Sequence, residues 1–167
     1  MKTPLFILAL CCCLCVSCRT QRSLTQKTKA LSHQLGFKVS RHDDLSLFTE
    51  AANWLGTPYR YGGNTPKGVD CSGLVKNMYQ QVYGITLPRT TSAIASEKCR
   101  RISKSNLQSG DLVFFNTSGK RKGINHTGIF LKKEYFIHAS TSKGVIISSL
   151  KEKYYRKAWK QGGKVKR

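Results

Sequence analysis

The apolar residues of this 167-residue chain change their period once, near Leu107, and that change limits what it can fold into. Before it, Leu45, Leu47, Phe48, Ala51, Ala52, Trp54 and Leu55 follow Asp43-Asp44 at helical spacing and stop at Gly56-Thr57-Pro58. Leu74, Val75, Met78 and Val82 again share one face, between Asp70, a good N-cap residue, and Gly84, a good terminator. After the break at Leu87-Pro88-Arg89, Thr90 or Thr91 can cap a further helix running through Cys99. Beyond Leu107 the apolar runs shorten to Leu112–Phe115, Thr127–Leu131, Tyr135–Ala139 and Gly144–Ser148, parted by polar and glycine-bearing turns. Helices first and hairpin-linked strands afterwards predict an α+β domain, with N-terminal helices packed on an antiparallel β-sheet. The length fits one such domain plus an appendage, and 40% hydrophobic residues suffice for a single core.

The appendage is at the amino end. Met1-Lys2 is a short basic start, Pro4–Val16 a short apolar stretch, and Ser17-Cys18 closes it, so residues 1–17 are expected to be a signal peptide. Five of the seven cysteines crowd there, which leaves Cys71 and Cys99 for the folded part and rules out a disulfide framework. Those two have no CxxC spacing, and no metal site is expected. Val16-Ser17-Cys18 resembles a bacterial lipobox, which makes Cys18 the lipidation site, with palmitate-type acyl chains holding the protein on a membrane. An ordinary cleaved signal with incidental cysteines is the other reading. Residues 18–42 are then the lipidated cysteine and a basic tether, expected to lack order, and residues 162–167 a basic tail around a catalytic domain at 43–161.

A net charge of +21 would point to nucleic acid in a cytosolic protein, but the export signal redirects it. Positions 19–41 carry no acid and 151–167 only Glu152, so the charge lies largely in solvated ends that attract anionic lipid or cell wall. No basic motif interleaved with stacking aromatics calls for RNA or DNA, and no nucleic-acid partner is expected.

The chemistry centres on Asp70-Cys71-Ser72-Gly73. In the first turn of a helix, unpaired N–H groups and the positive dipole end favour a thiolate, which should lower the Cys71 pKa from its ordinary value of about 8.5. Two histidines lie in the later hairpin. A three-residue loop at 132–134 pairs Gly128 with His138 and sets His126 diagonal to it on one face, towards the Cys71 helix; a two-residue loop would part them. A thiolate nucleophile, an imidazole base and a third polar group that orients the base are what amide cleavage through an acyl-enzyme requires, with helix-start N–H groups for the oxyanion.

Gly56-Thr57-Pro58-Tyr59-Arg60-Tyr61-Gly62-Gly63, Gly68–Val75, Leu87-Pro88-Arg89, Leu107–Phe115, His126-Thr127-Gly128-Ile129 and Phe136-Ile137-His138-Ala139 come in an order that resembles the NlpC-type cell-wall peptidase family over residues 45–160. The resemblance implies a papain-like cysteine peptidase fold and a Cys-His-His mechanism without cofactor: Cys71 as nucleophile, His126 as base, His138 as third residue. It implies substrate contacts at Tyr59, Asp70 and Ser72, with Asp70 alternatively a helix cap alone. Peptidoglycan stem peptides are the implied substrate. The compact build is similar to that of monomeric lipoprotein endopeptidases, so the D-Ala–diaminopimelate cross-link is favoured over the D-Glu–diaminopimelate bond. With Arg19 after Cys18, the expected place is the outer membrane facing the periplasm. A non-catalytic envelope-binding lipoprotein and a cysteine-dependent acyltransferase are the rival classes.

Overall fold

The structure is a computed structural model and describes residues 21–119 and 123–166. The signal segment and Cys18 lie outside the described residues. Among the described residues, no helix is long and apolar enough to cross a membrane.

The chain divides into two compact units, residues 1–45 and 46–167. In the first, residues 21–35 form a helix, α1, where the sequence predicted an unordered tether. Leu31, Leu35 and Val39 are buried, and Ser32 ties the helix to the turn after it by accepting from the Val39 N–H at 2.8 Å. The basic residues hid three apolar positions spaced four apart. A helix advances about 1.5 Å per residue, less than half the reach of an extended leader.

The second unit keeps the predicted order of helices and then strands. Helix α2, Leu45–Trp54, buries Leu47, Phe48, Ala51 and Trp54 at the anticipated spacing. A minimal hairpin, β1 (Asn64–Thr65) and β2 (Gly68–Val69), leads into helix α3, Cys71–Tyr83, which Gly84 ends in the left-handed conformation. Thr90 caps a short turn α4, Thr91–Ala93, and one wide turn at Ile94–Lys98 comes next. Cys99 does not continue that helix as expected: it opens an edge strand, β3 (Cys99–Ile102). Then come β4 (Leu112–Phe115), β5 (His126–Lys132), β6 (Tyr135–Ser140), β7 (Gly144–Ser149), α5 (Lys153–Ala158) and β8 (Trp159–Val165).

The six long strands form one antiparallel sheet in the order β3-β8-β4-β5-β6-β7. Strand β8 corrects the predicted tail: residues 162–165 lie inside the sheet, between β3 and β4. Gly162 and Gly163 read as tail composition, yet a Cβ on Gly163 would stand 2.6 Å from the Phe114 ring. The bare backbone is what lets Phe114 and Cys99 close over the strand.

Helix α3 lies along β5 and β6 and buries Leu74, Val75 and Met78 completely, each worth roughly 2 kcal/mol of transfer free energy. A second cluster, Val113, Phe115, Phe130, Phe136, Leu150, Tyr155 and Ala158, fills the side covered by α5.

Candidate active site

The start of α3 is built from Asp70. Its Oδ1 accepts from the Gly73 N–H at 2.7 Å, and its Oδ2 from the Gly62 N–H at 3.0 Å. Arg89 grips both oxygens, at 2.9 and 2.7 Å, and also reaches Ser72 Oγ at 2.8 Å and the Gly63 carbonyl at 3.1 Å. Burial by itself would raise the Asp70 carboxyl, but Arg89 and the Gly73 N–H outweigh it and hold the value below the usual range. Ser72 adds a hydrogen bond to Oδ1 at 3.2 Å. With five donors on two oxygens, the carboxylate is committed to the fold: it caps the helix and locks the 60–63 loop. Gly73 completes the lock, since a Cβ there would lie 2.4 Å from the Gly63 carbonyl oxygen. The sequence marks Arg89 only within Leu87-Pro88-Arg89, as a chain break and a block of the family resemblance, without a role of its own; the signal is the proline, which sets the chain's direction just before the guanidinium.

Cys71 stands free of any disulfide, as does Cys99. Its thiol is not lowered as the helix start suggested. Burial pushes it up, and hydrogen bonding from the Thr91 hydroxyl, 3.6 Å away, and from the Thr127 and Ser72 N–H groups only partly offsets this. The thiol opens on a cleft of about 440 Å³ shared with Tyr59, Tyr61, Asp70, Ser72, Arg89 and Asn125. The Tyr59 phenol is raised by burial and by the neighbouring Cys71 and Asp70, so it enters the cleft as an O–H donor. A larger cleft, about 700 Å³, runs past Tyr83, Cys99 and Lys164, but its lining includes no histidine, and burial pushes the Cys99 thiol up to about 12.

The histidines face each other across the β5–β6 hairpin. His126 Nε2 lies 3.0 Å from His138 Nδ1, with the rings nearly perpendicular at 86°. The route to this register differs from the expected three-residue loop. Lys132 pairs with Tyr135, so only Lys133 and Glu134 turn, with Lys133 at φ 58°. The ladder then shifts between Phe130 and Lys132, leaving Leu131 as a bulge, and Phe130 pairs with Phe136 and Ile129 with Ile137. The bulge restores the parity that a two-residue loop would have broken, and Gly128 falls opposite His138.

The sheet face that carries the pair also carries Phe115 and Phe136, with Tyr155 of α5 over it; the buried apolar residues of α3 are not in this cluster. The Thr127 N–H, next to His126, hydrogen-bonds the Cys71 thiol, so Cys71 meets β5 beside His126. Burial pushes His126 down to about 4, and burial with the neighbouring His126 pushes His138 down to about 3. Both rings rest neutral. His138 Nε2 meets two hydroxyls that sequence reasoning missed, Ser148 Oγ at 3.1 Å and Tyr155 Oη at 3.0 Å. Among the described residues no cluster of His, Cys, Asp or Glu fits a metal ion.

A helix-borne thiol and a sheet-borne imidazole pair in this fold define a papain-like thiol hydrolase domain. Residues 56–164 match the NlpC/P60 family, and the chain belongs to that family. It is 33% identical over 162 residues, 90% of this chain and 84% of the relative, to the protein named Murein DD-endopeptidase MepS/Murein LD-carboxypeptidase from Escherichia coli K12. It is 47% identical over 119 residues to the Probable endopeptidase NlpC of the same organism, covering 71% of this chain and 76% of that one. The crystal structure of the NlpC/p60 domain of the peptidoglycan hydrolase SagA matches with a TM-score of 0.62 and 31% identity, over 73% of this chain and 98% of that chain.

Proposed function

We propose that the protein is a peptidoglycan endopeptidase in which Cys71 is the nucleophile, His126 the base and His138 the residue that orients it. The observation that carries this reading is the 3.0 Å bond between His126 Nε2 and His138 Nδ1, on the strand whose Thr127 N–H meets the Cys71 sulfur. Family membership and the murein endopeptidases among the relatives make the chain a cell-wall hydrolase of the cysteine peptidase class.

With Nε2 of His126 engaged by His138, Nδ1 is the nitrogen left for the thiol proton. That proton passes to Nδ1 as sulfur bonds to the amide carbon. The oxyanion is stabilised by a helix-start N–H group: the Gly73 N–H serves Asp70, the Leu74 N–H the Asp70 carbonyl and the Ser72 N–H the sulfur, which leaves that of Cys71. The Tyr59 hydroxyl is a further donor. The C–N bond then breaks, the amine leaves with the proton from His126, and a thioester remains. Water, deprotonated by His126, attacks the thioester and returns the thiol. Tyr59 and Ser72 line the cleft and are the proposed substrate contacts; Asp70 acts through the Arg89 lock.

The favoured bond is the D-Ala–diaminopimelate cross-link, in keeping with the DD-endopeptidase in the name of one relative. A lipid anchor at Cys18, in the outer membrane facing the periplasm, is the proposed placement and rests on the pattern of the leader. Chromatography and mass spectrometry of muropeptides digested by the purified protein test the reading. Cross-linked dimers should become intact monomeric stems. Sugars bearing dipeptides would assign the cut to the D-Glu–diaminopimelate bond instead, and no cleavage of any stem would remove the peptidase.

A further inference from the structure

Behind the histidine pair is a hydroxyl cluster that the proposed mechanism does not use. Ser148 of β7 and Tyr155 of α5 both reach His138 Nε2, and Ser148 partly offsets the upward push of burial on the Tyr155 phenol. All three residues are buried, His138 to 1% exposure. Phe136 stacks on the His138 ring at 27° and 5.0 Å, and Tyr155 meets it edge-on at 69°. The ring plane is thus fixed, with Nε2 aimed at the two oxygens.

Resting on the reading of His126 as the base, we propose that Ser148 and Tyr155 are positioning residues: they accept the Nε2–H of His138 and thereby set the tautomers of both imidazoles. A neutral imidazole carries one N–H. If His138 holds it on Nε2, its Nδ1 is an acceptor and can be matched only by an Nε2–H on His126. Nδ1 of His126 is then a bare lone pair, the state that takes a thiol proton. If His138 held its proton on Nδ1, His126 Nε2 would be the acceptor and His126 Nδ1 would carry the proton, leaving no base. When the thiol proton arrives, the His126 Nε2–H bond to His138 becomes charge-assisted and shorter without any change of tautomer behind it. One arrangement therefore serves both proton uptake and proton return.

The cluster suits this task. Burial raises the Tyr155 phenol and lowers His138, so both stay neutral at working pH. Each hydroxyl oxygen lies within accepting distance of the Nε2–H, Ser148 Oγ at 3.1 Å and Tyr155 Oη at 3.0 Å. The Tyr155 proton is then free to turn towards the cleft of about 290 Å³ that Glu152 and Tyr154 also line.

Nitrogen-15 NMR of the full chain with labelled histidine reads the tautomer directly. His138 in the wild type should be protonated at Nε2 and bare at Nδ1. In the double variant Ser148→Ala/Tyr155→Phe, His138 should shift towards the Nδ1–H form. Its kcat on cross-linked muropeptides should fall roughly 10- to 100-fold with KM little changed, below the ~10⁴-fold cost of a fully wrong tautomer. An Nδ1–H tautomer at His138 in the wild type overturns the proposal, as does a folded double variant with wild-type kcat. Should the double variant not fold, the wild-type spectrum alone decides. Cys71→Ala separates the two readings. If it is inactive while the double variant keeps full kcat, only the positioning role fails; if it still turns over, the peptidase reading fails.

Discussion

The two halves of the site are held by opposite physics. On the cysteine side, a salt bridge organises everything: Arg89 and Asp70, 2.7 Å apart, staple the 60–63 loop to the first turn of α3. On the histidine side rings and hydroxyls do the holding, with Phe115, Phe136, Tyr155 and Ser148 around two neutral imidazoles. The charged half fixes position, while the desolvated half fixes protonation. Burial raises the Cys71 thiol and lowers His126, so the site rests as thiol and imidazole rather than as thiolate and imidazolium. Attack on an amide must then be coupled to proton transfer. This makes the orientation of His126 as important as its distance from sulfur.

Removing the proposed base should be the most costly way to break this pairing. His126→Ala should lower kcat by several orders of magnitude on soluble cross-linked muropeptides, with KM changing far less. Loss of Arg89 acts on the other half and on folding rather than on chemistry. Arg89→Ala leaves the Asp70 carboxylate, 10% exposed, without its partner, and should destabilise by about 1–3 kcal/mol in urea unfolding, a range discounted because the Arg89 side chain is 37% exposed. Arg89→Lys should recover only part of this, because an ammonium cannot span both oxygens.

Protonation gives smaller effects of defined sign. Both histidines have folded values below the ordinary 6.5, at about 4 and about 3. As pH falls below 6.5 the unfolded chain takes up protons that the folded chain refuses. The stability they contribute is therefore complete above that pH and is lost on descent towards 4 and 3. Melting temperature should drop across this window, and less steeply in His138→Asn. The thiol gives the matching readout: alkylation of Cys71 by iodoacetamide, monitored on its peptide by mass spectrometry, should rise with pH beyond the ordinary thiol range. A plateau of reactivity between pH 5 and 8 would mean a thiolate–imidazolium pair at rest.

Much of this architecture was legible in the chain. The apolar spacing of Leu47 to Trp54 and of Leu74 to Met78, and the caps Asp70 and Gly84, name their own elements because they are local. The histidine register was legible in its result but not in its route, since a bulge at Leu131 offsets a two-residue turn and no local pattern distinguishes that from a three-residue loop. Strand β8 was not legible, because its centre is glycine that earns its place only under Phe114. Arg89, Ser148 and Tyr155 are each polar residues with ordinary neighbours in sequence; their partners are 19, 10 and 17 residues away. Such roles exist only once the sheet has formed.

If a single thiol carries the reaction, turnover of cross-linked muropeptides by purified Cys71→Ala beside the wild type shows it. Wild type should release monomeric stems while the variant, folded and with an unchanged circular dichroism spectrum, loses several orders of magnitude in rate. Turnover by Cys71→Ala at the wild-type rate would contradict it.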